Sequence, residues 1–265
     1  MLDALADTMR WLQWGRSFGP LSGHESKLQD EERRQILTVF AYGTGLGPTQ
    51  AAKSVSGVSD RQVAFLNQRH ITAEKIDATI CNIINAYNRF WLPKHWGDPK
   101  RAAADGTKWD LYENNLLSEY HIRYGGWGGV AYYHVSETYI ALFSHFIPCG
   151  VWEAIYILDG LTKNQSDIQP DTVHGDTQAQ STPVFGLAYL LGIKLMPRIR
   201  NWKDLKCYKP APDQVYTHIN DLFTKDQIDW ELIARHLPDV LQVALSIRAG
   251  RIAPSTILRK LGTAS

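Results

Sequence analysis

The stretch VAYYHVSETYIALFSHFI, residues 130–147, decides the predicted fold because it contains two successive runs of β-branched and aromatic residues. Such runs are typical of β-strands. The runs 130–136 and 138–147 follow each other closely, so we predict neighbouring antiparallel strands. A third strand is predicted upstream, from Asp105 to Tyr112.

Downstream of these strands the pattern alternates between helix and strand. Residues 151–164 have the spacing of an amphipathic helix, and residues 166–178 return to an extended pattern. Residues 181–193 predict a second helix, and KLMPRIR (194–200) predicts another strand. The order of three strands, a helix, a strand, a helix and a strand is compatible with an α/β fold, a mixed sheet flanked by helices as in RNase H-like folds, although order alone does not prove it.

The first part of the chain has a different character. Apolar residues recur at helical spacing in 36–43 and 75–92, and long strand-like runs are missing. Gly97 and Pro99 then interrupt the pattern. We therefore predict an all-α subdomain over residues 1–97 and an α/β domain over 98–265.

Residues 49–71 have the outline of a helix-turn-helix, since two helical segments flank the Gly-containing SGVS. In a DNA-binding domain, Arg61 and Arg69 would be candidates for DNA contact. Short helices joined by a Gly turn also occur as ordinary packing elements. Both interpretations stay open at this point.

Composition excludes several classes of protein. Of the 265 residues 44% are hydrophobic and 21% charged, which excludes a disordered or collagen-like chain. Lys and Arg total 28 against 27 for Asp and Glu, so overall charge gives no argument for nucleic acid. The three cysteines form no CxxC pair, and no signal peptide or membrane span is evident. We expect a cytoplasmic protein.

Asp105, in ADGT, and Asp176, in HGDT, each lie near the end of a predicted strand. On adjacent strands the two carboxylates would converge and share hard divalent cations, the arrangement of a phosphoryl-transfer site. An Asp beside Gly or Thr is also a common turn-capping residue. Their spacing alone does not decide between these interpretations. A glycosidase using acids such as Asp110, Glu113 and Glu119 is more weakly specified.

The amino-acid sequence around these aspartates resembles that of the Tn3 family of replicative bacterial transposases. The resemblance is carried by ADGTKWDLYENNLLSEYHIRYGGWGGVAYYHVSETYIALFSHFIPCGVWEAIYILDGL (104–161) and SDIQPDTVHGDTQAQSTPVFGLAYLLGIKLMPRIRNWKDL (166–205). It continues upstream in LNQRHIT (66–72) and downstream in IDWELIARH (228–236). Essentially the whole chain is covered.

The resemblance implies a DDE-type transposase with an RNase H-like catalytic domain and two bound Mg²⁺ (or Mn²⁺) ions. Such an enzyme cuts DNA at the terminal inverted repeats of the transposon and joins the 3′ ends to target DNA. It implies a homodimer for the full-length enzyme. Asp105 matches the first catalytic, metal-binding aspartate and Asp176 the second.

The third acid of the family, a Glu, matches no residue of this chain. We therefore expect a piece of the transposase catalytic core that is inactive by itself. The alternative is a non-catalytic DNA-binding or dimerisation fragment that interferes with the full-length transposase.

A local excess of basic residues follows the second aspartate. Residues 194–209 contain six basic residues and one acidic residue, Asp204, which gives this segment a net charge of +5. The six are Lys194, Arg198, Arg200, Lys203, Lys206 and Lys209. Beside an active site this segment would follow a phosphate backbone, whereas a solvated surface is the equally simple interpretation. Lys194, Arg198, Arg200 and Lys203 are the predicted DNA contacts here.

Overall fold

The structure, a computed structural model, describes residues 1–24, 28–122, 125–200 and 202–262. The side chain of Asp204, counted in the basic segment, lies outside the described set. Contacts divide the chain into two compact units. Unit 1 is Met1–Trp91 with Gln165–Asp167, and unit 2 is Leu92–Asn164 with Ile168–Ser265.

Unit 1 is built from helices in the part that the structure describes. They are α1 (Leu2–Leu12), α2 (Glu31–Gly43), α3 (Gly47–Lys53), α4 (Asp60–His70) and α5 (Ala73–Asn88). The helices predicted at 36–43 and 75–92 are confirmed as parts of α2 and α5, although α5 ends at Asn88. Leu37 and Ala41 of α2 pack with Val63 of α4 in one apolar cluster.

Helices α3 and α4 confirm the predicted helix, turn and helix. The connection contains Gly57 with a φ of 79°, a backbone conformation that glycine adopts without strain. A capping box starts α4: the Ser59 hydroxyl accepts from the Gln62 N–H, and the Gln62 side chain accepts from the Ser59 N–H. Contact of this unit with DNA stays a prediction.

Unit 2 contains a mixed sheet of six strands. The strands are β1 (Arg101–Asp110), β2 (Glu119–His121), β3 (Gly126–Ser136), β4 (Ala141–Pro148), β5 (Thr172–Gly175) and β6 (Lys194–Pro197). They lie in the order β2-β3-β1-β5-β6, and β4 also pairs with β3. Two further strands, β7 (Cys207–Lys209) and β8 (Phe223–Gln227), form a small separate sheet.

The predicted strands are confirmed with shifted bounds. β1 begins four residues before Asp105, at Arg101, where buried Ala102 and Ala104 alternate with exposed neighbours. β3 and β4 pair antiparallel, as the run 130–147 predicts. The direction then changes, because β1 pairs parallel with β5 and β5 pairs parallel with β6.

Four α-helices accompany the sheet in the described part of unit 2. They are α6 (Ile157–Lys163), α7 (Thr182–Leu190), α8 (Trp230–Arg248) and α9 (Pro254–Gly262). The helix predicted at 151–164 begins with a 3₁₀ turn, Glu153–Tyr156, before α6. α7 confirms the second predicted helix, with Pro183 in its first turn, although the Ser181 side chain makes no capping hydrogen bond.

The core of unit 2 lies between the sheet and these helices. Val130 of β3, Val173 of β5, Leu158 of α6 and Leu258 of α9 belong to one buried cluster. None of the described helices is both long and apolar enough to cross a lipid bilayer.

A buried carboxylate joins α6 to the start of α9. Asp159 is 1% exposed and accepts hydrogen bonds from the backbone N–H and the hydroxyl of Ser255, at 2.8 and 2.7 Å. Hydrogen bonds to a charged acceptor are stronger than neutral ones. The negative charge also lies at the N-terminus of α9, where a helix favours it.

A buried histidine links β3 to α6. His134 is 1% exposed, and its Nε2 lies 2.8 Å from the carbonyl oxygen of Ile157. A carbonyl only accepts, so Nε2 is the donor. Burial disfavours the imidazolium and lowers the pKa of His134 to about 4.

We expect the stability of unit 2 to fall as the pH drops from about 6.5 to about 4. In this window the unfolded chain binds a proton at His134 that the folded chain does not, so the free energy of unfolding decreases, by on the order of 3 kcal/mol in total. Urea unfolding of His134→Gln across this window should show a weaker pH dependence. His236→Gln, at an exposed position, is the control, and an unchanged slope in His134→Gln would contradict the prediction.

Candidate active site

Asp105 and Asp176 occupy neighbouring positions in the sheet. Asp105 lies within β1, opposite Tyr133 of β3. Asp176 directly follows β5 and precedes the 3₁₀ turn Thr177–Ala179. Asp105 is exposed, and Asp176 is partly buried.

The register of β1 and β5 brings the two aspartates level with each other. Arg101 pairs with Thr172, and Ala103 pairs with His174. Each partner follows by 71 positions, and Asp176 follows Asp105 by the same 71. Because the strands run parallel, this register, carried two residues beyond its last pair, places Asp105, in the middle of β1, level with Asp176, just beyond the end of β5.

Both aspartates also accept a local hydrogen bond from a backbone N–H. Asp105 Oδ1 accepts from the Gly106 N–H at 2.8 Å, and Asp176 Oδ1 accepts from the Gln178 N–H at 3.0 Å. The turn-capping interpretation holds for Asp176, which caps the 3₁₀ turn, whereas Asp105 lies within β1 and caps no turn. It does not compete with cation binding, since an ionised carboxylate offers about four acceptor positions on its two oxygens.

A buried tyrosine reports the negative charge around this pair. Tyr132 is 2% exposed and lies opposite Gly106 across β1 and β3. Burial raises the pKa of its hydroxyl, and the negative charges of Asp176, Glu153 and Asp105 raise it further. Three carboxylates therefore lie within electrostatic reach of one hydroxyl.

Glu153 is the member of this group that the sequence does not reveal. It opens the 3₁₀ turn before α6, within a run whose pattern predicts only an amphipathic helix. Its carboxylate occupies the space that a Cβ on Gly106 would need. Its contact with β1 at Gly106, the residue after Asp105, follows from the fold, and no spacing in the sequence signals it.

Among the predicted DNA contacts, Arg198 directly follows the neighbouring strand β6 and lies level with Asp176. Gly175 pairs with Pro197 across β5 and β6, and the Arg198 N–H donates to the Gly175 carbonyl at 2.9 Å. Arg198 is therefore level with Asp176, and its side chain is exposed. Lys194 lies at the opposite end of β6.

The remaining predicted contacts lie on other elements of the chain. Arg200 and Lys203 follow β6 and are exposed, and Lys203 lies in the 3₁₀ turn Trp202–Asp204. Arg61 and Arg69 are exposed on α4, which belongs to unit 1. All of these DNA contacts stay predictions.

The donor set suits a hard cation, although it is incomplete. Within the described ranges, no three His, Cys, Asp or Glu side chains are grouped closely enough to hold a metal ion together. Two aspartates remain, and carboxylate oxygens are the ligands that Mg²⁺ prefers alongside water and phosphate.

With the mixed sheet and the two level aspartates described, the comparisons with known proteins identify the family of the chain. Residues 3–265 match the family described as the Tn3 transposase DDE domain, and the chain belongs to this family. It is 28% identical to the transposase for transposon Tn3926 of Escherichia coli and 29% identical to that for transposon Tn501 of Pseudomonas aeruginosa. It is 26% identical to the transposase for transposon Tn1546 of Enterococcus faecium.

These alignments cover 98–100% of this chain but only 26–27% of each relative. The chain thus spans about a quarter of the length of the curated relatives it matches. Among solved structures, it is similar to the Mos1 mariner paired-end complex with Mn, at 12% identity over 93% of this chain and 85% of that one. The TM-score of 0.27 is too low to support a conclusion about the fold.

Gly175 directly precedes Asp176 and is closely packed against neighbouring side chains. A Cβ at this position would lie 2.9 Å from Ala179 Cβ and 3.1 Å from Ile157 Cδ1. We expect Gly175→Ala to lower the free energy of unfolding by about 1–3 kcal/mol because the added methyl overpacks this site. Gly186→Ala is the matched control, since a Cβ there meets nothing within 4 Å and α7 gains about 0.5–1 kcal/mol. Denaturant unfolding of both variants measures the difference, and a stabilised Gly175→Ala would refute the close contact.

Proposed function

We propose that this chain is part of the catalytic core of a DNA transposase, in which Asp105 and Asp176 bind divalent cations. In replicative transposition the complete enzyme cuts DNA strands at the terminal inverted repeats and transfers the 3′ ends to target DNA. One observation carries the proposal. Two aspartates of a Tn3 transposase DDE domain stand level on adjacent parallel strands.

The strand order supports an RNase H-like catalytic domain. Four strands, β1 to β4, come first in the chain and form antiparallel pairs, and β5 then pairs parallel with β1 and β6 with β5. The two aspartates lie on β1 and directly after β5, the two strands whose pairing begins the parallel part of the sheet. Ligand sites in open α/β sheets favour the carboxyl ends of such strands.

The chemistry of the site follows from its residues. Asp105 and Asp176 would each contribute a carboxylate oxygen to Mg²⁺ or Mn²⁺. Two bound ions would activate a water or 3′-hydroxyl and stabilise the leaving oxygen. Arg198, level with Asp176, places a fixed positive charge where the scissile phosphate would approach.

Cation binding is the first test. We expect residues 1–265 to bind Mn²⁺, and Asp105→Asn or Asp176→Asn to weaken this binding more than about 10-fold. Loss of a residue that only hydrogen-bonds to a metal ligand already costs about 10-fold or more, and these two residues are proposed as direct ligands. Electron paramagnetic resonance of free Mn²⁺ measures the affinity. Asp226→Asn, at an exposed position of β8, is the matched control. Unaltered Mn²⁺ affinity in both site variants would refute the assignment.

Strand cleavage is the second test. Because no residue of the chain matches the third acid of the family, we expect residues 1–265 alone to bind DNA without nicking it. Mn²⁺-dependent nicking of inverted-repeat DNA measures this. Robust cleavage that Asp176→Ala abolishes would contradict the expected inactivity, whereas absence of DNA binding would contradict the proposed interface.

The third test concerns the phosphate backbone. We expect Arg198→Ala to weaken DNA binding similarly for all sequences and to reduce the slope of log K against log salt by about one, as for loss of one phosphate contact. Fluorescence anisotropy at several salt concentrations measures this slope. Lys194→Ala, at the other end of β6, should have the smaller effect. The reverse ranking would place the DNA elsewhere on this surface.

A further inference from the structure

We propose that Glu153 is an additional carboxylate of the cation site, a positioning residue that holds water ligands of an ion bound by Asp105 and Asp176. The inference rests on the proposed function. It assigns a role to a residue outside the aspartate pair, and it depends on three contacts within unit 2.

The first contact joins Glu153 to β1. Gly106 directly follows Asp105, and a Cβ on Gly106 would overlap the Glu153 carboxylate and lie 2.8 Å from a methyl of Val130. The absence of a side chain at position 106 therefore lets the carboxylate of Glu153 lie against the backbone beside Asp105.

The second contact joins the neighbour of Glu153 to the turn after Asp176. The indole N–H of Trp152 donates to the carbonyl of Gln178 at 3.0 Å. Gln178 belongs to the 3₁₀ turn that Asp176 caps. The segment bearing Glu153 is thus fixed to both aspartate segments, through Gly106 on one side and through Gln178 on the other.

The third contact is the packing beneath Glu153. Ala154 and Ile155 are both 1% exposed and belong to the main core cluster. Their burial fixes the 3₁₀ turn, whereas Glu153 itself stays half-buried. The carboxylate of Glu153 is consequently carried by a 3₁₀ turn whose next two residues are held in the core.

Electrostatics agree with this arrangement. The hydroxyl of Tyr132, opposite Gly106, has a pKa raised first by burial and then by the charges of Asp176, Glu153 and Asp105. All three carboxylates therefore lie within electrostatic reach of this one hydroxyl.

Glu153 fits the role of an indirect ligand. No three acidic side chains among the described residues are close enough to coordinate one ion together. Mg²⁺ and Mn²⁺ retain several waters in such sites, and carboxylates that accept hydrogen bonds from these waters orient them. Outer partners of this kind contribute about 10-fold to 100-fold in metal affinity.

The test compares Mn²⁺ affinities by electron paramagnetic resonance. We expect Glu153→Gln, which keeps the shape and removes the charge, to weaken Mn²⁺ binding about 10-fold. Glu153→Asp should recover part of that loss, because it restores the charge. Gly106→Ala displaces the carboxylate and should also weaken binding. Glu113→Gln is the matched control, since Glu113 is exposed and the chemical change is the same.

Thermal unfolding without metal separates a folding defect from a binding defect. Glu153→Gln and Glu153→Asp should keep the wild-type midpoint. If Glu153→Gln binds Mn²⁺ like the wild type while Asp105→Asn and Asp176→Asn do not, the inference is overturned and the proposed function stands. If the wild type shows no saturable Mn²⁺ binding, or the aspartate variants bind normally, the cation site itself fails and the inference with it.

Discussion

The pairing of β1 with β3 on one side and with β5 on the other determines where the residues of the candidate site stand. The antiparallel partner places Tyr132 opposite Gly106, and the parallel partner brings Asp176 level with Asp105. A slip of one residue in either pairing would turn a side chain to the other face of the sheet. The alternating burial of Ala102 and Ala104 opposes such a slip, because these residues face the core.

The helices of unit 2 hold the segment that carries Glu153 against the sheet. Asp159 of α6 holds Ser255 at the start of α9, and removal of either partner would leave buried polar groups without hydrogen bonds. Four residues before Asp159, the buried Ile155 fixes the 3₁₀ turn that carries Glu153. The segment that carries Glu153 is therefore held by apolar packing of Ile155 and by the buried carboxylate of Asp159.

Much of the architecture follows from local patterns, whereas the site depends on long-range register. Runs of β-branched and aromatic residues predict β3 and β4, and helical spacing predicts α2, α5 and α7. The short strands β2, β7 and β8 carry too few residues to generate a pattern, and α8 was not predicted. Asp105 and Asp176 were identified through family resemblance, since their spacing is equally typical of turn residues. Glu153 was missed because its contact with Gly106 arises only when α6 packs on the sheet.

The separation of the two aspartates by 71 positions has a consequence for folding. Parallel pairing of β1 with β5 requires closure of a long loop, and contacts of this range form slowly in small domains. The proposed cation site therefore does not form until β5 has paired with β1. A cation that binds only this late state stabilises the folded chain by mass action. Acquisition of Mn²⁺ affinity during refolding would then report the pairing of β1 with β5.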